Sequence, residues 1–164
     1  MSISIINGRL VDPANGIDDL LDLHLDGECI VGIGQPPAGY QPDETIDAGG
    51  CVVCPGLVDI AASLREPGYT AKGTLATETR AAAKGGITTL VCTPDTEPVI
   101  DTPAVVELIH RTARKLAQAR VLTAGALTQE LEGTQLSNMA ALKEVGCVAL
   151  SNVRNRLANT LVER

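Results

Sequence analysis

Ala81-Ala82-Ala83-Lys84-Gly85-Gly86-Ile87-Thr88-Thr89-Leu90-Val91-Cys92-Thr93-Pro94-Asp95-Thr96 decides how the rest of the chain is read. The alanines close an Ala-rich helical stretch from Lys72 to Lys84, and the Gly85-Gly86 pair stops it. Ile87 to Cys92 follows as an uninterrupted apolar and β-branched run, the pattern of a strand buried on both faces. Helix, glycine stop and buried strand in succession make part of a parallel β-α repeat.

The same alternation extends in both directions. Upstream, Val52, Val53, Leu57, Val58 and Ile60 form the first continuous apolar stretch. Downstream, Thr102-Pro103 reads as a cap with proline at the first helical position. Val105, Val106, Ile109, Ala113, Leu116 and Ala117 then give one apolar helical face. Val121 to Ala124 reads as a third strand, Ser137 to Val145 as a third helix and Cys147 to Leu150 as a fourth strand. Arg156 to Arg164 reads as the opening of a fourth helix. Repeats of this kind imply parallel strands joined by right-handed crossovers. Two architectures satisfy them, an open doubly wound sheet or the first half of a (β/α)8 TIM-type barrel.

Residues 1–50 follow a different rhythm, that of a small antiparallel β module. Ile3 to Ile6 is apolar, and Asn7-Gly8 signals a hairpin into Arg9-Leu10-Val11. Leu21, Leu23 and Leu25 alternate with Asp22, His24 and Asp26, the period of a half-buried strand. Asp26-Gly27 turns the chain into Glu28 to Ile33. A loop from Gly34 to Pro42 and a short strand from Glu44 to Ala48 complete the module. The expected division is therefore residues 1–50 and residues 51–164.

Composition narrows the function. The 164 residues are 45% hydrophobic yet contain no Trp or Phe and only two Tyr, so the core must be aliphatic. That argues against nucleic-acid readers that stack bases on aromatic rings. A net charge of −7 makes polyphosphates and anionic membranes poor partners. No apolar run approaches the roughly 18 residues of a membrane span, and the N-terminus lacks a signal-peptide pattern, so a cytoplasmic location is the default. Cys51 and Cys54 form a C-x-x-C, but residues three apart in a strand face opposite sides, and buried free thiols are expected for the five cysteines.

Three strand–loop junctions choose between the architectures. The first is Pro55-Gly56-Leu57-Val58-Asp59 running into Leu64-Arg65-Glu66-Pro67-Gly68. The second is the Ala81 to Thr96 stretch. The third is Gly125-Ala126-Leu127-Thr128, with Leu142-Lys143-Glu144-Val145-Gly146 leading into Ala149-Leu150-Ser151. Together they resemble the dihydroorotases, metal-dependent cyclic amidohydrolases built as a barrel with a composite β-sandwich. The resemblance runs across the whole chain and implies that residues 51–164 are the first four β/α units of such a barrel. It also implies full-length relatives more than twice as long. A fragment is therefore expected, the alternative being two copies that complete each other.

Active members would read Asp-x-His-x-His-x-Arg-Glu-Pro-Gly at the first junction and Ser-Asp-Asp-Gly at the fourth strand. Alternate residues of a strand point the same way, so such a His pair faces into the barrel and holds a metal that activates water. Here Ala61 and Ser63 stand at the pair, and Asn152 and Val153 at the fourth strand, followed by Arg154. A methyl group, a hydroxyl and an alkyl chain do not replace imidazole and carboxylate ligands. Arg65 matches the arginine that holds a substrate carboxylate. Asp95 replaces an asparagine, repels acidic substrates and could pair with Arg65. His24 and His110 lie elsewhere and are not expected to bind metal, and Asp59 reads as a strand-end hydrogen-bonding group. Ser63 lacks a nearby base to make it a nucleophile.

The resemblance is nearest to the non-catalytic dihydroorotase-like chains that assemble with aspartate carbamoyltransferase. It implies a pseudoenzyme of pyrimidine biosynthesis with no catalytic residues and no cofactor, zinc being expected only in active relatives. The implied partner is the aspartate carbamoyltransferase catalytic chain in a large hetero-oligomer. One rival is an active amidohydrolase whose atypical metal site is completed beyond residue 164. Another is a free-standing α/β binding domain, for which no G-x-G-x-x-G or P-loop sequence speaks.

Overall fold

A computed structural model describes residues 1–158. The chain divides into two compact units, Met1–Pro55 and Gly56 onward. The expected fourth helix, Arg156 to Arg164, falls largely outside the described residues. Among those residues no helix is long and apolar enough to cross a membrane.

The first unit holds β1 (Ser2–Ile6), β2 (Arg9–Asp12), β3 (Ile17–Leu20), β4 (Leu23–Asp26), β5 (Cys29–Ile33), β6 (Glu44–Asp47) and β7 (Val52–Val53). They form two sheets, ordered β5-β4-β1-β6 and β3-β2-β7. The Asp26-Gly27 turn joins β4 to β5 as an antiparallel pair, as the sequence suggests. The Asn7-Gly8 hairpin does not form, because β1 and β2 lie in different sheets. Asn7 instead redirects the chain at φ 62°. Its backbone N–H donates to Asp22 Oδ1 at 3.0 Å and its side-chain amide to Asp47 Oδ1 at 3.0 Å. Gly8 serves close packing, since a Cβ there would come within 2.6 Å of Val53 Cγ2. Nor is the module purely antiparallel, for β1–β6 and β2–β7 pair in parallel.

Polar side chains tie these short strands together. Buried His24 shares a 2.9 Å hydrogen bond between Nδ1 and Ser4 Oγ, and its ring meets Tyr40 edge-on at 5.5 Å. The Tyr40 hydroxyl lies within hydrogen-bonding distance of the Ile3 and Leu25 carbonyls. Arg9 grips Asp18 with two bonds of 2.6 and 2.7 Å across β2 and β3. The pair holds the carboxyl of Asp18 below its ordinary range. Cys29, Cys51 and Cys54 are free and exposed, which corrects the expectation of buried thiols; Cys29 opens β5, and Cys51 and Cys54 flank the two-residue β7 rather than lying inside a buried strand. Cys92 is buried and Cys147 half-buried.

The second unit alternates β8 (Leu57–Ala62), α1 (Leu75–Lys84), β9 (Ile87–Cys92), α2 (Pro103–Leu116), β10 (Arg120–Ala126), α3 (Met139–Glu144) and β11 (Cys147–Ser151). The four strands are parallel and lie in chain order, β8-β9-β10-β11. A doubly wound sheet would reverse direction partway; this one does not, and the barrel-type half sheet is the result. Leu75, Leu90, Cys92, Ile100, Val106, Ile109 and Leu142 build the core. Leu57, Val58 and Ile60 on the β8 edge are 57%, 60% and 78% exposed, and Val148 on the opposite edge is 54% exposed. Those are positions that neighbouring strands cover in a closed barrel.

Helix ends refine the sequence reading. The first helix begins at Leu75 rather than Lys72, where Thr74 and Thr77 form a reciprocal capping box. Pro103 opens α2 as expected, but the Thr102 side chain makes no capping bond. Asn138 caps α3 by accepting from the Ala141 N–H at 3.1 Å. On α2, half-buried His110 faces β10, with Nε2 3.2 Å from Thr123 Oγ1.

Two stability changes follow from these contacts. Gly8→Ala should destabilise the protein by about 1–3 kcal/mol through overpacking against Val53, read from the urea midpoint. Burial, followed by the Arg114 charge, pushes His110 below its ordinary value of 6.5. The unfolded chain therefore takes up that proton first as pH falls. The associated stability is complete above pH about 6.5 and is lost as pH drops from there through the folded value. His110→Gln should flatten that part of the stability–pH curve.

Candidate functional site

All four strands of the second unit run the same way, so their C-terminal ends, and the loops that follow, converge on one rim. At the end of β8 the chain passes through Ala61, exposed, and Ala62, buried, to Ser63. Asp59 Oδ1 accepts from the Ala61 N–H at 2.9 Å, a hydrogen-bonding role as anticipated, though from within β8 rather than at its end. Ser63 Oγ lies 3.3 Å from Thr93 Oγ1 at the end of β9. The Thr93 N–H in turn donates to the Ala62 carbonyl at 3.1 Å. These contacts stitch the first two strand ends together.

Arg65 sits in the left-handed region at φ 65°, an uncommon conformation for a residue with a Cβ. Its carbonyl accepts from the Tyr69 N–H at 2.8 Å, closing the turn. Glu66 does not pair with Arg65. Its Oε2 accepts from the Leu75 N–H at 2.6 Å, at the positive end of α1. The next loop packs against this one, with the Glu97 N–H donating to the Pro67 carbonyl at 3.1 Å. Gly68, at φ 98°, lies against Glu97 with no room for a Cβ.

On the far side of the rim, Asn152 is turned into its own loop. Its Oδ1 accepts from Thr128 Oγ1 at 2.7 Å, and its side-chain amide donates to the Asn155 carbonyl at 3.2 Å. Val153 adopts φ 52°, with its N–H donating to Ser151 Oγ at 2.9 Å. Thr128 also receives the Gly133 N–H, so this network is closed on itself.

A cavity of about 270 Å3 opens between these loops, lined by Ser63, Arg65, Asp95, Leu131, Val153, Arg154 and Asn155. The structure thus gathers Ser63, Arg65, Asp95 and Val153 from three junctions, while Ala61 and Asn152 do not line it. Arg65 and Asp95 share the cavity, yet no ion pair joins them among the described residues. The suggested pairing is therefore not made. Leu131 and Asn155 were not marked by any motif; they reach the cavity through the 3-10 turn Gln129–Leu131 and the loop after β11. A larger cleft of about 550 Å3, beside His110, Arg114 and Arg120, lies among residues of α2 and β10.

One thiol lies beneath the rim at the end of β9. Burial, opposed by a backbone hydrogen bond from Leu64 and assisted by Asp95, pushes Cys92 up to about 12. It stays a protonated packing group and no nucleophile. Zinc requires imidazole, thiolate or carboxylate donors held in a convergent set. Ala61 and Val153 offer none, Ser63 is engaged by Thr93, and Asn152 by Thr128, so these positions do not fit a zinc ion. Among the described residues no three His, Cys, Asp or Glu side chains converge on a metal-sized site.

A half sheet of parallel strands in chain order with a rim of strand-end loops defines a class, the (β/α) barrels. The solved L-hydantoinase from Arthrobacter aurescens superposes with a TM-score of 0.75 at 24% identity, over 90% of this chain and 32% of that one. A D-hydantoinase from a Thermus species gives 0.66 at 24% identity, over 87% and 30%. Those likenesses concern the fold.

Sequence takes the assignment further. Residues 50–161 match the family described as dihydro-orotase-like. A dihydroorotase-like protein of Pseudomonas putida is 52% identical over 97% of this chain and 38% of its own length. Its counterpart in Pseudomonas aeruginosa is 49% identical over 100% and 39%. A dihydroorotase of Geobacter metallireducens is 38% identical over 100% and 39%. The chain belongs to the dihydroorotase-like family and spans under two fifths of the length of these relatives.

The Glu66 contact gives a direct test of how the rim loop is held. Glu66→Ala should cost about 1.5–3 kcal/mol, the range for a hydrogen bond to a charged group. Hydrogen exchange should quicken first at the start of α1, at Leu75.

Proposed function

We propose that this chain is part of a catalytically inactive dihydroorotase-like protein, a structural partner of aspartate carbamoyltransferase in pyrimidine biosynthesis. The supporting observation is the donor set at the rim. Where active members carry imidazoles and a carboxylate, this chain carries Ala61, Ser63, Asn152 and Val153. The two that own polar atoms spend them on neighbouring loops. Losses at separate junctions, within a core that keeps its strand order and caps, fit a scaffold retained for its surface. On this reading the protein has no cofactor, and its partner is the aspartate carbamoyltransferase catalytic chain in a large hetero-oligomer. No nucleic acid or membrane takes part, and the assembly is cytoplasmic.

The β8 and β11 edges belong to the same reading. The remaining β/α units of a longer chain would cover Leu57, Val58 and Ile60 on one side and Val148 on the other.

Full-length protein, coexpressed with aspartate carbamoyltransferase, should elute with it as one large species on size exclusion. Alone, it should neither open dihydroorotate nor close carbamoyl aspartate. Separate elution would remove the assembly role, and turnover would overturn the pseudoenzyme reading.

A further inference from the structure

The rim cavity carries charges that its neighbours leave unanswered. Arg65 and Asp95 are half-buried in it and Arg154 lies at its exposed side. Among the described residues none of the three side chains makes a hydrogen bond or ion pair with another side chain. Elsewhere on the rim, by contrast, Glu66, Asn152 and Thr128 are all satisfied within the chain. Two guanidinium groups and one carboxylate, left free around one small space, present a pattern for a ligand.

That pattern is specific. A guanidinium is planar and forked, and it pairs with a carboxylate through two parallel bonds. Two of them ask for two carboxylates, and Asp95 asks for a cation. Leu131 and Val153 supply an apolar wall for a short carbon chain. At about 30 Å3 per water, the space equals roughly nine waters, the size of a molecule with about ten heavy atoms. Arg65 is held for this role by its own turn, with Tyr69 on its carbonyl and the Glu66 anchor at α1.

We propose that this cavity binds a small amino dicarboxylate, with its carboxylates on Arg65 and Arg154 and its ammonium on Asp95. The inference rests on the inactive reading above, in which no metal occupies the rim. It departs from the substrate expected of active relatives, because an N-carbamoylated nitrogen carries no charge and leaves Asp95 without a partner.

Titration calorimetry on the full-length protein, with L-aspartate, L-glutamate, succinate, L-alanine and N-carbamoyl-L-aspartate, tests the assignment. One of the two amino dicarboxylates should bind most tightly, succinate and N-carbamoyl-L-aspartate less so, and L-alanine least. Arg154→Gln should weaken the amino dicarboxylate about tenfold or more. Asp95→Asn should weaken it while leaving succinate unchanged or improved, a split that a purely structural role for Asp95 would not produce. Binding of none of the probes by folded protein, or equal binding of succinate and the amino dicarboxylates, would overturn the proposal. So would unchanged affinity in both variants. Turnover of dihydroorotate, measured separately, would instead overturn the inactive reading on which it stands.

Discussion

In the second unit every strand hydrogen-bonds in parallel to the strand that follows it in the chain, so that Ala62 stands opposite Cys92 and Ala126 opposite Ser151. Parallel neighbours need a crossover, and the crossover helix must lie on the face that buries Leu75, Val106, Ile109 and Leu142. Strand polarity then sends every strand-end loop to the same rim. The position of Ser63, Arg65, Asp95 and Val153 around one cavity is a consequence of that pairing, whatever chemistry they carry. The rim can therefore lose its ligands without loss of the scaffold.

The loops at this rim are held by contacts of their own. Ser63 binds Thr93, Asn152 binds Thr128, and Glu66 holds the start of α1. Each of these bonds satisfies a polar atom that burial would otherwise penalise. Among the described residues, the charged groups that line the cavity, Arg65, Asp95 and Arg154, make no such side-chain bond.

Much of the barrel unit was legible in the sequence because its signals are local. Ile87 to Cys92 is recognisable as a buried strand from its own residues, and Gly85-Gly86 marks the end of its helix. The β module was less legible. Its decisive pairings join β1 to β6 and β2 to β7 across tens of residues, and packing of Gly8 against Val53 overrides the Asn7-Gly8 turn signal. Ile17–Leu20 carries no alternation, and its strand is seen only in its pairing with β2, which the Arg9–Asp18 contact spans. At the rim, residue positions followed from the strand ends, whereas side-chain engagement did not. Nothing in the sequence aims Glu66 at Leu75 or Asn152 at Thr128, since both depend on how the loops fold over the strand ends.

Family membership places this chain among proteins that include dihydroorotases at 38% identity, and the proposal that it is inactive rests on its rim residues. The most direct measurement is the zinc content of the full-length protein after incubation with excess zinc and removal of loosely held ions. Far less than one zinc per chain is the predicted result. One or more tightly bound zinc ions per chain, lost on substitution at Ser63 or Asn152, would contradict it.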